Sequence, residues 1–183
     1  MKKLTRSEIS ADRATLETAH SVQKLPVAVL LNNIRSSYNV GSIFRTSDGA
    51  MIEKLYLCGY TAAPPRREVM KTALGATESV QWEYAENALP VIEKYKALGY
   101  KIIALELAEN SVSGFDVAET MMPALLIIGN EISGVNQELL DMCDIALEIP
   151  QYGIKQSLNV AVAYGISIFE MRRVFDKMFV KVK

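Results

Sequence analysis

The residues best suited to chemistry fall in three loops that do not read as ordinary connecting chain. The last lies in 149–173, IPQYGIKQSLNVAVAYGISIFEMRR, where Gln151, Tyr152, Lys155, Gln156, Ser157 and Asn159 precede a stretch dense in small and apolar residues. A helix of that composition must pack on more than one side, and a polar loop on an apolar platform suggests a site. The first loop, 32–39 (NNIRSSYN), feeds a helix carrying Arg45, and the second, 129–134 (GNEISG), follows the apolar run 124–128. Glu131, held between two glycines just beyond that run, sits where a helix face would not explain a carboxylate. These groups offer hydrogen bonds and charge. Metal chemistry is not indicated, because two cysteines and a single histidine make no usual zinc set.

Each loop also has a purely structural reading. Asn39 is explained equally well as the N-cap of its helix. Gly41, inside the first turn, costs about 1 kcal/mol relative to alanine, which close approach of another backbone or a ligand would compensate. Gly129 and Gly134 also suit simple turns. Ser157 and Asn159 are both good caps, and positions two apart in a helix are separated by about 200°, so they share a site only if Ser157 precedes the helix.

The elements that would position these loops alternate. Strands are expected at 26–31 (PVAVLL), 54–59 (KLYLCG), 80–84, 101–107 (KIIALEL), 124–128 (ALLII) and 145–149, with helices at 40–50, 66–74, 88–98, 136–142 and 158–179. This pattern predicts an α/β fold with a mostly parallel six-stranded sheet and helices on both faces. In such sheets ligands bind at the carboxyl ends of the strands, where all three loops fall. Residues 1–24 lack a consistent apolar period and are expected as an arm with at most a short helix between 10 and 19. The single domain is expected at 25–183, leaving no room ahead of it for a separate folded RNA-binding domain.

The chain has 183 residues, half of them hydrophobic, enough for one domain with a substantial core. No apolar run approaches the ~20 residues of a membrane span, and the polar N-terminus has no signal-peptide core. A cytoplasmic protein with reduced Cys58 and Cys143 is expected. The formal net charge of -1 argues against a broad polyanion-binding face. Nucleic-acid contacts would be local, from the arm, from Arg35, Arg66, Arg67 and Lys71, or from the basic residues after Arg172.

Taken together, NNIRSSYNVGSIFRTSDGA (32–50), LIIGNEISGV (126–135) and IPQYGIKQSLNVAVA (149–163) resemble, in order and spacing, the three motifs of the SpoU (TrmH-like) RNA ribose methyltransferases of the SPOUT superfamily. One departure is Ala161, a position that is often serine in that family. The resemblance implies a deep C-terminal trefoil knot, which periodicity cannot show and general topology rules would exclude. It implies a homodimer that binds S-adenosylmethionine in the knot and methylates a ribose 2'-hydroxyl of tRNA or rRNA, with no metal and no membrane. By motif position, Gly129, Ile149 and Leu158 would line the cofactor pocket, joined by Leu105 at a strand end. Asn39, Arg45, Glu131, Ser157 and Asn159 would hold the reacting ribose and the RNA. Guanidinium stays protonated in proteins, so Arg45 is expected to orient and stabilise charge rather than act as a base. Competing readings are a non-catalytic RNA-binding protein of the same fold and an RNA base methyltransferase. A dinucleotide enzyme is disfavoured because no GxGxxG follows the first strand.

Overall fold

The apolar run Leu25–Asn32 (β1) is buried along nearly its whole length because helices cover both faces of the sheet to which it belongs. The computed structural model describes residues 1–11, 15 and 23–180. A short helix, Arg6–Ala11 (α1), precedes the sheet; the helix expected between 10 and 19 falls mostly outside the described residues. After β1 come Ser37–Ala50 (α2), Ile52–Cys58 (β2), Arg67–Ala73 (α3), Ala76–Ser79 (α4), Trp82–Ala85 (β3), Leu89–Ala97 (α5) and Lys101–Leu105 (β4). Val112–Ser113 (β5), Ala124–Ile128 (β6), Gln137–Leu140 (α6), Ile145–Glu148 (β7) and the long helix Val160–Val180 (α7) complete the chain. The strand order is β3-β2-β1-β6-β4-β7-β5, and every pairing is parallel.

The sheet therefore has seven strands, not the six expected from sequence. The additional one, β5, is two residues long and pairs only with β7, too short to carry a period-two pattern. The four-residue α4 also escaped the sequence reading, since one turn has no periodicity. Strand parity assigns the two cores. Val27, Val29 and Leu31 of β1 pack with α2, α3, α4 and α7, whereas Ala28 and Leu30 face α5 and α6.

Three further features fix α2, the helix carrying Asn39 and Arg45. Its N-cap is Ser36, whose Oγ accepts a hydrogen bond from the Asn39 backbone N–H at 3.3 Å. The N-cap reading of Asn39 is thereby overturned: one upstream serine does that work and leaves the Asn39 side chain available. Gly41 meets α3 so closely that a Cβ there would collide with Thr72 Oγ1 and the Val69 carbonyl, which is the close backbone approach that compensates the glycine. On the other side, Ser47 Oγ and Tyr164 OH share a buried hydrogen bond of 2.7 Å that joins α2 to α7.

Gly41→Ala should therefore lower the unfolding free energy by about 1–3 kcal/mol, as overpacked sites do, although the same change on an open helix face would stabilise by roughly 1 kcal/mol. Urea denaturation of the two proteins decides between these signs.

Candidate active site

Leu105, Ile128 and Leu147 stand side by side near the carboxyl ends of β4, β6 and β7. Just beyond them the chain opens into a cavity lined by Leu105, Gly129, Ile149 and Leu158, the four residues expected to hold a cofactor, with Glu106, Glu131 and Glu148 also on its wall. Gly129 is required because a Cβ there would strike the backbone of Gly134 and Val135 as the loop folds back. That return is closed by a two-way backbone pairing of Asn130 with Gly134, at 3.0 and 2.9 Å. Gly134 itself has φ +67°, a left-handed conformation that favours glycine. Both glycines are turn residues and cavity residues at once.

Glu131 projects from this loop to the start of α2. Its Oε2 accepts from the Arg35 N–H at 2.8 Å, and its Oε1 accepts from the Ser36 N–H and from Asn39 Nδ2, each at 3.0 Å. A carboxylate at a helix N-terminus is favoured by the free amides and by the helix dipole. Burial pushes the Glu131 carboxyl up, but the bonds from the Arg35 and Ser36 amides and from Asn39 outweigh it and hold the group below its ordinary 4.5. Asn39 Oδ1 in turn accepts from Asn159 Nδ2 at 3.1 Å. Asn159 caps α7, its Oδ1 accepting from the Ala161 and Val162 amides at 2.9 and 3.4 Å. Ser157 thus precedes the helix, as its sharing a site with Asn159 demands.

Asn39 and Asn159 line a second, shallower cavity that shares Glu131, Leu158 and Val160 with the first. Ser157 lines the first cavity. The structure brings together Asn39, Glu131, Ser157 and Asn159. Arg45 is not brought to them: it is exposed on α2 and lines neither cavity.

Sequence reasoning missed three residues that build the site. Glu106, one residue past β4, accepts from the Val135 N–H at 2.8 Å and the Leu107 N–H at 3.0 Å, tethering the 129–135 loop. Asn130 accepts at Oδ1 from the Ile132 and Ser133 amides and donates from Nδ2 to the Asn33 carbonyl at 2.8 Å and to Tyr60 OH at 2.7 Å. Asn130 was legible as an asparagine that folds its own turn, but Glu106 and Tyr60 carry no local signal. Among the described residues no group of three His, Cys, Asp or Glu side chains could hold a metal ion, and no helix is long and apolar enough to cross a membrane.

Because the folded-state Glu131 carboxyl titrates below 4.5, it contributes stability that is present above the unfolded value and lost as pH falls through the folded one. Glu131→Gln, which keeps the shape but not the charge, should be less stable than the parent above about pH 5, with the difference shrinking as pH falls below the ordinary 4.5. Urea unfolding across that range measures it.

Residues 26–169 match the SpoU rRNA Methylase family. The chain is 34% identical over 146 residues to the tRNA (guanosine(18)-2'-O)-methyltransferase of Aquifex aeolicus, covering 79% of this chain and 68% of that one. It is 26% identical over 159 residues to the 23S rRNA (guanosine-2'-O-)-methyltransferase of Neisseria meningitidis, covering 86% and 62%. The chain thus spans roughly two thirds of the length of these relatives. Among solved structures, the A. aeolicus TrmH/SpoU tRNA modifying enzyme superposes with a TM-score of 0.80 at 29% identity, over 90% of this chain and 84% of that one. An AdoMet-bound rRNA methyltransferase from Sinorhizobium meliloti gives 0.75 at 31%, over 82% and 60%. With the three motif loops meeting at the strand ends and most of the sheet inside the matched region, the chain belongs to the SpoU rRNA methylase family.

Proposed function

We propose that the protein transfers a methyl group from S-adenosylmethionine to a ribose 2'-hydroxyl of tRNA or rRNA, through the single unit spanning 25–183. The observation that carries this is the pairing of two cavities across one wall. The first is apolar at Leu105, Ile149 and Leu158, carries three carboxylates and has no lysine or arginine on its lining. That lining fits an adenine and a sulfonium cation, and it would repel the pyrophosphate of a dinucleotide. The second, shallower one presents Asn39 and Asn159 amides across Glu131 and Leu158, where a ribose could be held against the first. Gly129, Leu105, Ile149 and Leu158 would seat the cofactor, which supplies an already activated methyl group.

The protein's task is then to orient. Holding the hydroxyl in line could contribute roughly 7–11 kcal/mol. Asn39 and Asn159 are themselves fixed by Glu131 and by the α7 cap, so they meet a ribose already ordered, and Ser157 lines the first cavity. Arg45 completes the set as a charge stabiliser for the hydroxyl as it loses its proton.

Arg45 must arrive from somewhere, and a homodimer supplies the route. Gly49 lies against Phe169, and Arg45, one turn earlier, shares that face of α2. Phe169 and Val162, seven residues apart on one stripe of α7, are about half exposed. A second copy packed on this stripe would carry its Arg45 towards the cavities. The C-terminal trefoil knot is the topology that family membership implies for the segment beyond 149. We place the protein in the cytoplasm with its RNA substrates; Cys58 and Cys143 are free thiols, and burial pushes them up to about 12 and about 11.

The decisive assay is transfer of labelled methyl from S-adenosylmethionine to total tRNA and to rRNA, followed by digestion to nucleosides. A 2'-O-methylnucleoside is expected; a methylated base would make the protein a base methyltransferase, and cofactor binding that fails altogether would leave an RNA-binding protein. Arg45→Ala should reduce transfer by about 10²–10³-fold or more while S-adenosylmethionine affinity, read by calorimetry, stays within twofold. Phe169→Asp should give a monomer by ultracentrifugation and lose transfer with it.

A further inference from the structure

A third cavity, of about 500 Å³, lies at the carboxyl ends of β1 and β2 and is lined by Asn32, Asn33, Gly59, Glu86, Asn136 and Glu138, among others. Its size falls within the roughly 300–1,000 Å³ of small-ligand sites. None of the residues assigned above to methyl transfer or cofactor binding lines it.

Asn32 marks it as more than a surface hollow. The residue is 8% exposed, and among the described residues its side chain makes no hydrogen bond. Its amide is open to the cavity rather than sealed off, since among the described residues the side-chain polar atom buried without a partner is Ser167 Oγ. Alternation along β1 sets its direction: Ala28 and Leu30 face α5 and α6, so Asn32 does too, beside the Ala88 and Leu139 that also line the cavity. Asn136 is similarly unspent. It occupies the N-cap of α6 without capping it, although an asparagine there ordinarily bonds a free amide. Asn33 Oδ1 accepts from the Tyr60 N–H at 3.1 Å, and among the described residues its Nδ2 makes no hydrogen bond. Glu86 and Glu138 are exposed and form no ion pair among the described residues.

We infer that this cavity is a binding site for an unstacked guanine base of the RNA substrate, at a nucleotide other than the one methylated. The inference rests on the proposed action on RNA. Two carboxylates would repel phosphate, so the ligand enters by a base edge. Guanine alone offers two adjacent N–H donors, N1–H and the 2-amino group, to a carboxylate, together with an O6 acceptor for an asparagine amide. Tyr60 and Tyr84, 63% and 49% exposed, flank Gly59, whose carbonyl accepts from Tyr84 OH at 2.8 Å. They supply aromatic faces of the kind on which unstacked bases lie in single-stranded RNA recognition. The site is wired to the methyl-transfer loops, since Asn130 donates to both the Asn33 carbonyl and Tyr60 OH.

The test is saturation-transfer NMR on the full chain with guanosine, inosine, adenosine and cytidine as free nucleosides, the cofactor cavity being filled with S-adenosylmethionine. Guanosine should bind about tenfold more tightly than inosine, which lacks the 2-amino group, and more tightly than the other two. The preference should disappear in Glu86→Gln/Glu138→Gln and weaken in Asn136→Ala, with S-adenosylmethionine affinity unchanged. Equal binding of all four, survival of the preference in both variants, or displacement of guanosine by S-adenosylmethionine would overturn the inference. A guanosine preference in a protein that binds no S-adenosylmethionine would uphold the base site and overturn the methyl-transfer reading instead.

Discussion

The carboxylate of Glu131 meets the first amides of α2 and the Asn39 side chain at once, and through Asn39 it reaches Asn159 at the head of α7. Each of these bonds spans more than ninety residues of chain. Without that tie the three loops would be separate surface segments, each ordered only by its own strand. A charge can do this because its acceptor capacity exceeds one bond and because the helix N-terminus offers amides with no intrahelical partner. A neutral side chain would satisfy fewer of them.

The tie works only on a platform that does not move. The adjacent parallel strands β6, β4 and β7 end level with one another, so the loops leaving them begin side by side. Gly129 and Gly134 then let the middle loop turn back against itself, and Glu106 anchors it from the neighbouring strand. Asn159 ends the last loop by capping α7, whose Tyr164 is bonded to α2 in the core. Site geometry and core packing are continuous, since the helix that presents Asn39 is the one wedged between α3 and α7.

Much of this was legible in the residues. The buried strands announced themselves as apolar runs, β6 to the residue, and the odd carboxylate between glycines marked Glu131 before any fold was known. Ser157 was placed correctly ahead of α7, but the helix starts were misjudged by two or three residues: α2 begins at Ser37 and α7 at Val160, because which of several nearby polar residues caps a helix was not decidable, and Ser36 took the role expected of Asn39. Short elements such as β5 and α4 were invisible because periodicity needs length. Glu106 and Tyr60 were invisible for a different reason: they matter through tertiary neighbours. Arg45 was legible as a residue and illegible in position, as its place on the exposed face of α2, away from both cavities, cannot be read from a helical pattern.

The two faces of the sheet are not equally provided for. The core under α2, α3 and α7 collects aromatic and long aliphatic side chains such as Phe44, Tyr164, Met171 and Phe175, whereas the core under α5 and α6 is smaller and rests on two shorter helices. Sub-global openings begin where least apolar surface is held, so amide protons of α5 and α6 would exchange with solvent ahead of those of α2 and α7. Plasticity is thereby lodged on one side of the sheet and rigidity on the other: the layer that holds Asn39 stays put while the opposite layer can breathe without disturbing it.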